Sequence, residues 1–170
     1  NDYNEMDGLW GLDNTTNPEY DINVKPVWDH YTKGDPKVIV SVMDTGVDLK
    51  HEDLAGNMAS TGHYNGLTGA TSVVAGDHGT HVAGTIAAVG NNGKGITGIA
   101  GGDSAKGQKG VTIISSQMLP DGGGNTNAAV NAMIQALAAG AVISQNSWGY
   151  SFDYNGDGVI SGDELTAQLA

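Results

Sequence analysis

The most constraining feature of this chain is an almost unbroken apolar run at positions 38–43, Val-Ile-Val-Ser-Val-Met. A strand exposed on one face alternates apolar and polar residues, whereas an unbroken β-branched run is typical of a strand buried on both faces. Strands of that kind occur mainly in parallel sheets that helices cover on each side. The run therefore predicts the central strand of an α/β fold.

Strands and helices alternate along the rest of the chain. Strands are predicted at residues 111–115 and 141–145, with a weaker candidate at 71–75, and helices at 78–89 and 125–139. The second helix carries apolar residues at helical spacing, namely Val130, Met133, Ile134, Leu137 and Ala138. This order predicts right-handed βαβ crossovers and an open, mostly parallel sheet with helices on both faces. Ligands of such sheets bind at the carboxyl ends of the strands.

Composition excludes several classes of protein. Hydrophobic residues fill 39% of the 170 positions, which suffices for a buried core, and 7 basic against 19 acidic residues give a net charge of −12. A field of that sign repels phosphate backbones, so we expect no nucleic-acid partner. No apolar run approaches the ~20 residues that span a bilayer, so we expect no membrane segment. The absence of cysteine excludes thiol catalysis, thiolate metal sites and disulfides.

Two short motifs bring reactive side chains to the predicted carboxyl edge of the sheet. Asp44-Thr45-Gly46 directly follows the central strand, and His78 stands at the start of the first long helix. Histidine titrates near neutral pH, and a buried carboxylate can hold its Nδ1–H and stabilise the imidazolium that forms. Taken separately, the aspartate could simply start a turn, and the histidine could simply cap or pack a helix.

Together the two motifs resemble the subtilisin-like serine proteases, the subtilase family. The resemblance rests on Asp44-Thr45-Gly46 and on His-Gly-Thr-His-Val-Ala-Gly at 78–84, and it extends to His51-Glu52-Asp53-Leu54, to residues 89–100 and to Asn146-Ser147-Trp148-Gly149. It covers residues 1–150, which we interpret as the N-terminal part of a subtilisin-like catalytic domain. Residues 151–170 are interpreted as an inserted EF-hand-like calcium loop and the start of the following helix.

The resemblance implies a serine endopeptidase that hydrolyses peptide bonds with an Asp-His-Ser triad. Asp44 would be the triad carboxylate and His78 the general base, while His81 would be a packing residue. The substrate would lie between two segments and pair with one of them as an added strand. The residues of these segments are Gly123 and Gly124 on one side and Ser147, Trp148 and Gly149 on the other.

Two parts of the family's machinery have no match after His78. These are the Gly-Thr-Ser-Met-Ala-like segment that carries the serine and the asparagine segment of the oxyanion hole. We therefore expect this chain to be the N-terminal portion of the enzyme, with an incomplete sheet and with the nucleophile outside it. The expected partners are a peptide or protein substrate and a C-terminal fragment of the same protease that carries the serine. The resemblance also implies a secreted, extracellular protein.

Calcium is the cofactor that the sequence indicates, and the resemblance implies a first site for it. Side-chain oxygens and backbone carbonyls would bind the ion, and an oxygen-only ligand set suits Ca²⁺. The implied ligands are Asp2, Asp53 and Asn92 by their side chains and Val89, Lys94 and Ile96 by their carbonyls.

A second calcium site is indicated by a local motif alone. Residues 153–164 match the twelve-residue EF-hand loop, with oxygen-bearing residues at positions 1, 3 and 5, glycine at 6 and glutamate at 12. The ligands would be the side chains of Asp153, Asn155, Asp157 and Glu164, the carbonyl of Val159, and Ser161 directly or through water.

Two other functions fit parts of the pattern. A catalytically inactive, calcium-dependent binding module could keep the subtilase scaffold, although the intact Asp44 and His78 argue against it. A metal hydrolase could use Asp77, His78 and His81, because two histidines three residues apart on a helix can reach one ion. Zinc helices usually need a third ligand nearby, however, and the flanking Gly-Thr and Val-Ala-Gly fit the subtilase pattern instead.

Overall fold

The computed structural model of the chain describes residues 9–120 and 126–149. The helices are α1 (Lys25–His30), α2 (Asp77–Ala87) and α3 (Thr126–Ala138), and the strands are β1 (Ile39–Asp44), β2 (Tyr64–Asn65), β3 (Gly102–Asp103), β4 (Gln108–Lys109), β5 (Thr112–Gln117) and β6 (Ile143–Gln145). None of the described helices is long and apolar enough to cross a membrane.

The main sheet is parallel and is centred on the strand that the apolar run predicted. Its strand order is β2-β5-β1-β6, and β1 pairs with β5 along all six of its residues. Strands β3 and β4 form a separate antiparallel pair. The register places Asp44 beside Gln117 at the carboxyl edge, which is the edge at which ligands of parallel sheets bind.

The two long helices cover opposite faces of the main sheet. Ala83 and Ala87 of α2 pack in one buried cluster with Val40 and Val42 of β1. On the other face, Met43 of β1 lies in a cluster with α3, whose members there are Ala128 and Ala132. Successive side chains of a strand point to opposite faces, so β1 needs apolar residues on both. The prediction of an α/β sheet with helices on both faces is confirmed.

The weak strand predicted at 71–75 is wrong. The short strand of this region is β2, and the segment at 71–75 is a loop. Val74 has the β-branched side chain that favours strands, but that side chain is 66% exposed. Its backbone N–H donates to Gln117 Oε1 at 2.9 Å, so a side-chain contact takes the place of strand pairing.

Helix α3 buries a different face from the one that its apolar spacing suggests. The small residues Ala128, Ala132 and Ala136 are buried, whereas the bulky apolar stripe of this helix is exposed in the described part of the chain. Small side chains let the helix approach the sheet closely, and this places the larger ones on the outside. The exposed members are Val130, Met133, Ile134 and Leu137.

The buried carboxylate of Asp103 links Lys33, which lies between α1 and β1, to the loops that follow α2. Asp103 is 1% exposed and contacts Lys33 Nζ at 3.1 Å and Lys106 Nζ at 3.6 Å, while Asn91 Nδ2 donates to it at 2.8 Å. Burial by itself raises the pKa of Asp103. The hydrogen bonds from Asn91 and Lys33 and the two lysine charges outweigh burial and hold the pKa below the ordinary aspartate value.

We predict that Asp103→Asn lowers the free energy of unfolding at pH 7 by about 1–3 kcal/mol, the usual effect of losing hydrogen bonds to a charged group. A depressed folded-state pKa stabilises the protein above the unfolded pKa of ~3.9, and this stability is lost as pH falls through the folded pKa. The difference between wild type and variant should therefore shrink below about pH 4. Urea unfolding at several pH values measures it, with Asp29→Asn as the exposed control. A difference that does not change with pH would contradict the prediction.

Helix α2 begins in unusually close contact with the turn that follows β1. A Cβ atom on Gly79 would lie 2.4 Å from the carbonyl oxygen of Gly46, and one on Gly76 would lie 2.3 Å from Thr45 Oγ1. Gly84 lies in the same helix, and a Cβ there would meet only Ile96 Cδ1 at 3.8 Å. Only the first turn of α2 therefore requires glycine for space.

We predict opposite effects for the same substitution at two positions of α2. Gly79→Ala forces backbone apart and should destabilise the protein by roughly 1–3 kcal/mol, whereas Gly84→Ala should stabilise it by about 0.5–1 kcal/mol through helix propensity. Thermal unfolding of the two variants beside wild type measures both shifts. Shifts of the same sign would show that the close contact at Gly79 does not constrain the helix.

Candidate active site

A buried carboxylate stands at the end of the central strand. Asp44 is the last residue of β1 and is fully buried. Its Oδ1 accepts a hydrogen bond from the backbone N–H of Thr45 at 2.7 Å. The chain then turns at Gly46, whose φ of 109° is a conformation that other residues rarely adopt. The turn leaves the carboxylate at the carboxyl edge of the sheet.

Helix α2 brings an imidazole to that carboxylate. His78 is the second residue of α2, and its Nδ1 lies 2.7 Å from Asp44 Oδ1. The helix start is held in place because Gly79 N–H donates to Thr45 Oγ1 at 3.0 Å and Gly76 N–H donates to Gly46 O at 3.2 Å. The predicted pair of Asp44 and His78 is therefore brought together.

The contact defines the tautomer of the imidazole. An ionised carboxylate only accepts hydrogen bonds, so Nδ1 of His78 carries the hydrogen and Nε2 keeps its lone pair. The His78 side chain is 55% exposed, while that of Asp44 is 1% exposed. The arrangement is a base open to a reactant and supported from below by a buried negative charge, as in hydrolases that use a nucleophilic hydroxyl.

The second carboxylate oxygen of Asp44 has no hydrogen-bond partner among the described residues. Oδ2 is buried, whereas Oδ1 accepts from both Thr45 and His78. The carboxylate therefore contacts the imidazole through the same oxygen that accepts from Thr45.

Gln117 is a buried polar residue next to the site that sequence reasoning missed. It ends β5, is 6% exposed and donates from Nε2 to the Thr45 carbonyl at 2.9 Å. Its Oε1 accepts from Asn65 Nδ2 at 2.8 Å and from Val74 N–H at 2.9 Å. The available signal was a polar residue at the end of a buried strand, at the edge where Asp44 lies.

The predicted substrate strand lies at the same edge of the sheet. Ser147, Trp148 and Gly149 follow β6 after one residue, Asn146, and β6 pairs with β1 up to Val42, two residues before Asp44. All three residues are exposed, and Gln145 Nε2 donates to Ser147 Oγ at 2.9 Å. The opposing residues Gly123 and Gly124 lie outside the described residues.

Most residues implied for the first calcium site lie around Asp53, but the contacts that they make there are donated by N–H groups and not made by the predicted ligand oxygens. This carboxylate is 2% exposed and accepts from Asn92 Nδ2 at 2.8 Å and from Ile96 N–H at 2.9 Å. Val89 N–H donates to the Asp53 carbonyl at 2.8 Å, and Lys94 N–H donates to Asn92 Oδ1 at 2.9 Å. The loop therefore wraps the carboxylate closely. Asp2 lies outside the described residues.

The ligands predicted for the second calcium site also lie outside the described residues, and that site stays a prediction. They are Asp153, Asn155, Asp157, Val159, Ser161 and Glu164.

The geometry does not support a metal hydrolase. No three acidic or histidine side chains converge to hold a metal ion within residues 9–120 and 126–149. His78 uses Nδ1 for Asp44, and His81, expected as a packing residue, is exposed and lines a cavity of about 430 Å³. His63 is structural, because its Nε2 lies 2.9 Å from Ala59 O and its Nδ1 accepts from Ser115 N–H.

Comparison with known proteins agrees with this geometry. The model of the subtilase family matches residues 35–167. Fervidolysin of Fervidobacterium pennivorans is 35% identical over 158 residues, which cover 87% of this chain and 21% of fervidolysin. The extracellular basic protease of Dichelobacter nodosus is 35% identical over 116 residues, which cover 49% of this chain and 19% of that protein. The chain thus spans about a fifth of the length of these relatives.

Solved structures share the fold. The crystal structure of a lanthipeptide protease superposes with a TM-score of 0.59 at 29% identity, covering 84% of this chain and 35% of that one. The structure of fervidolysin, a keratinolytic enzyme related to subtilisin, gives a TM-score of 0.56 at 29% identity, covering 75% and 19%. With the aspartate and histidine paired at the edge of a parallel sheet, and with the family model matching most of its length, this chain belongs to the subtilase family.

Proposed function

We propose that this chain is the N-terminal portion of the catalytic domain of a serine endopeptidase. The observation that carries the proposal is the 2.7 Å contact between His78 Nδ1 and buried Asp44 Oδ1 at the carboxyl edge of the sheet. The nucleophilic serine would come from outside this chain, because no segment after His78 resembles the one that carries it.

Asp44 and His78, here called the catalytic dyad, would act together as the base of the reaction. Nε2 of His78 would take the proton of the serine hydroxyl as its oxygen attacks the peptide carbonyl, and would later give that proton to the leaving amine. Asp44 would keep Nδ1 protonated throughout and stabilise the imidazolium without being protonated itself. The burial of Asp44 supports this role, because a charge acts more strongly where water is excluded.

The substrate would bind as an extended peptide. The exposed segment of Ser147, Trp148 and Gly149 would supply backbone groups for pairing, and no atom of the described residues lies within 4 Å of the position of a Cβ on Gly149. Pairing through the main chain admits many sequences, with specificity left to side-chain pockets. Peptides and proteins are therefore the proposed substrates.

The rest of the protease would dock on α3 and β6. The apolar side chains on the outside of α3 are exposed, with Leu137 at 74%, and Val142 just before β6 is 70% exposed. Strand β6 is also an edge of the described sheet, and an unpaired edge is a ready template for another strand. The remainder that carries the serine, on the same chain or as a C-terminal fragment, would cover both surfaces.

Calcium would stabilise the loop around Asp53. The proposed ligands are all hard oxygens, which Ca²⁺ prefers, and they come from Asp53, Asn92 and the backbone carbonyls of residues 89, 94 and 96. Gly95 has no side chain and leaves room beside the carboxylate, since a Cβ there would lie 2.4 Å from Asp53 Oδ2. Binding would require the Asn92 amide, whose nitrogen donates to Asp53, to turn its oxygen toward the ion. A second ion would bind at residues 153–164.

The protein would work outside the cell. The relatives named extracellular proteases come from Dichelobacter nodosus, Natrialba magadii and Bacillus subtilis.

We predict that Asp44→Asn lowers kcat of the whole protease by about 10⁴-fold, because an amide favours the wrong imidazole tautomer. Hydrolysis of a peptide anilide measures the rate. Asp77→Asn is the control, since this exposed carboxylate precedes His78 without supporting its Nδ1, and should have a far smaller effect. A variant at position 44 that keeps more than a tenth of the wild-type rate would refute the triad, and a wild type without activity would favour the inactive binding module.

We predict that a calcium chelator lowers the melting temperature of the whole protein. An ion that binds only the folded state at 100 times its Kd adds about 2.7 kcal/mol. Calcium titrations of the melting temperature should be compared for wild type, Asp53→Asn and Glu164→Gln. Each substitution should remove part of the shift and the double variant nearly all of it. A wild-type melting temperature that does not change with calcium would exclude both sites. A calcium-dependent shift of the melting temperature that only Glu164→Gln removes would exclude the site at Asp53.

A further inference from the structure

We propose that Gln117 is a positioning residue for the catalytic dyad. It would hold both the turn that supports Asp44 and the segment that leads into the helix of His78. The expected effect on kcat rests on the proposed function, whereas the contacts of Gln117 involve only residues of this chain.

The strand register places Gln117 between two neighbouring strands at the carboxyl edge. It is paired with Asp44 of β1 on one side and with Asn65 of β2 on the other. Its backbone carbonyl accepts from Gly66 N–H at 2.8 Å, and the Asp44 carbonyl accepts from Met118 N–H at 2.9 Å. These hydrogen bonds fix the backbone of Gln117, and they therefore fix the point from which its buried side chain extends.

The amide nitrogen of Gln117 acts on the residue that supports the carboxylate. Nε2 donates to the carbonyl of Thr45 at 2.9 Å, while the N–H of Thr45 donates to Asp44 Oδ1 at 2.7 Å. Thr45 also accepts from Gly79 N–H through its hydroxyl at 3.0 Å, next to His78 in α2. Thr45 thus binds Asp44 through its N–H and the residue after His78 through its hydroxyl. Gln117 holds the carbonyl of Thr45, in the peptide group that joins Thr45 to Gly46.

The amide oxygen of Gln117 acts on the segment that enters α2. Oε1 accepts from Val74 N–H at 2.9 Å, two residues before Gly76, which caps α2. The carbonyl of Val74 approaches the turn after β1 so closely that a Cβ on Gly46 would lie 2.0 Å from it. One side chain therefore links the entry of the histidine helix to the turn of the aspartate strand.

These partners require an amide at position 117. Thr45 presents a carbonyl and Val74 an N–H, so the side chain must donate at one atom and accept at the other. Asn65 is held in a matching orientation, because its Oδ1 accepts from Leu67 N–H at 3.0 Å and leaves its Nδ2 to donate to Gln117. An ionised glutamate would still accept from Asn65 and Val74, but it would place a carboxylate oxygen against the Thr45 carbonyl where the donor stood. Methionine would fill the space and lose all three hydrogen bonds.

The expected effect is a loss of kcat with little change in KM, because Gln117 lies beneath the dyad rather than against the substrate. A misplacement of about 1 Å between catalytic groups can cost about 100-fold in rate. We expect Gln117→Met of the whole protease to lose between about 10-fold and 100-fold in kcat, and Gln117→Glu to lose kcat through the lost Thr45 bond and the added buried charge.

The experiment combines kinetics with proton NMR of the whole protein. Because His78 Nδ1 lies only 2.7 Å from Asp44 Oδ1, we expect the hydrogen between them to give a low-field resonance that shifts with the length of that bond. We expect Gln117→Met and Gln117→Glu to move or broaden this resonance and to lower kcat. Gln108→Met is the matched control, because Gln108 is exposed in β4, away from the dyad. It should change neither measurement.

The outcomes separate this inference from the proposed function. A kcat and a resonance that stay at wild-type values in folded Gln117 variants would overturn the positioning role, even if the melting temperature fell. If Gln117→Met does not fold, Gln117→Glu decides by the same two measurements. If the wild type hydrolyses no peptide, the proposed function fails, and the resonance alone then decides whether Gln117 holds the dyad.

Discussion

The structure depends on a carboxylate buried at the end of its central strand. Placing Asp44 at a fully buried position carries a desolvation cost that a charge recovers only from close partners. Two such partners, Thr45 N–H and His78 Nδ1, contact the same oxygen at 2.7 Å. The turn after β1, the start of α2 and the end of β5 are all arranged so that these two donors reach it.

That arrangement explains the small residues around the site. The helix of His78 must approach the turn closely enough for Gly79 N–H to reach Thr45 Oγ1, and a side chain at position 79 would strike Gly46. The same need for close approach appears on the opposite face, where α3 contacts the sheet through Ala128 and Ala132. Close packing leaves larger apolar residues on the outside, and these form the surface on which the rest of the domain is proposed to dock.

Much of this architecture could be predicted from the sequence. The run at 38–43 predicted β1, because the burial of a strand shows in its own residues. Taken separately, the motifs at Asp44 and His78 left a turn and a helix cap open as alternatives, and only the resemblance to the subtilases implied the pair that the structure brings together. The buried face of α3 could not be predicted in this way, since helical periodicity marks an apolar stripe without showing which element covers it.

Gln117 shows a second limit of sequence reasoning. Its partners at positions 45, 65 and 74 are distant in the chain, and only the parallel register brings them to one point. The segment at 71–75 has strand-forming residues, yet it is a loop in which Val74 N–H donates to Gln117. Contacts between side chain and backbone across strands leave little trace in composition or periodicity.

We propose that Asp44 and His78 activate a serine that lies outside this chain. Fluorophosphonates react with serines that a histidine activates, so treatment of the whole protein with such a probe and mass spectrometry of its peptides would locate that serine. We expect a single modified serine beyond residue 170 and loss of that modification in His78→Ala. A modified serine within residues 1–170, or labelling of His78→Ala at the wild-type rate, would contradict it.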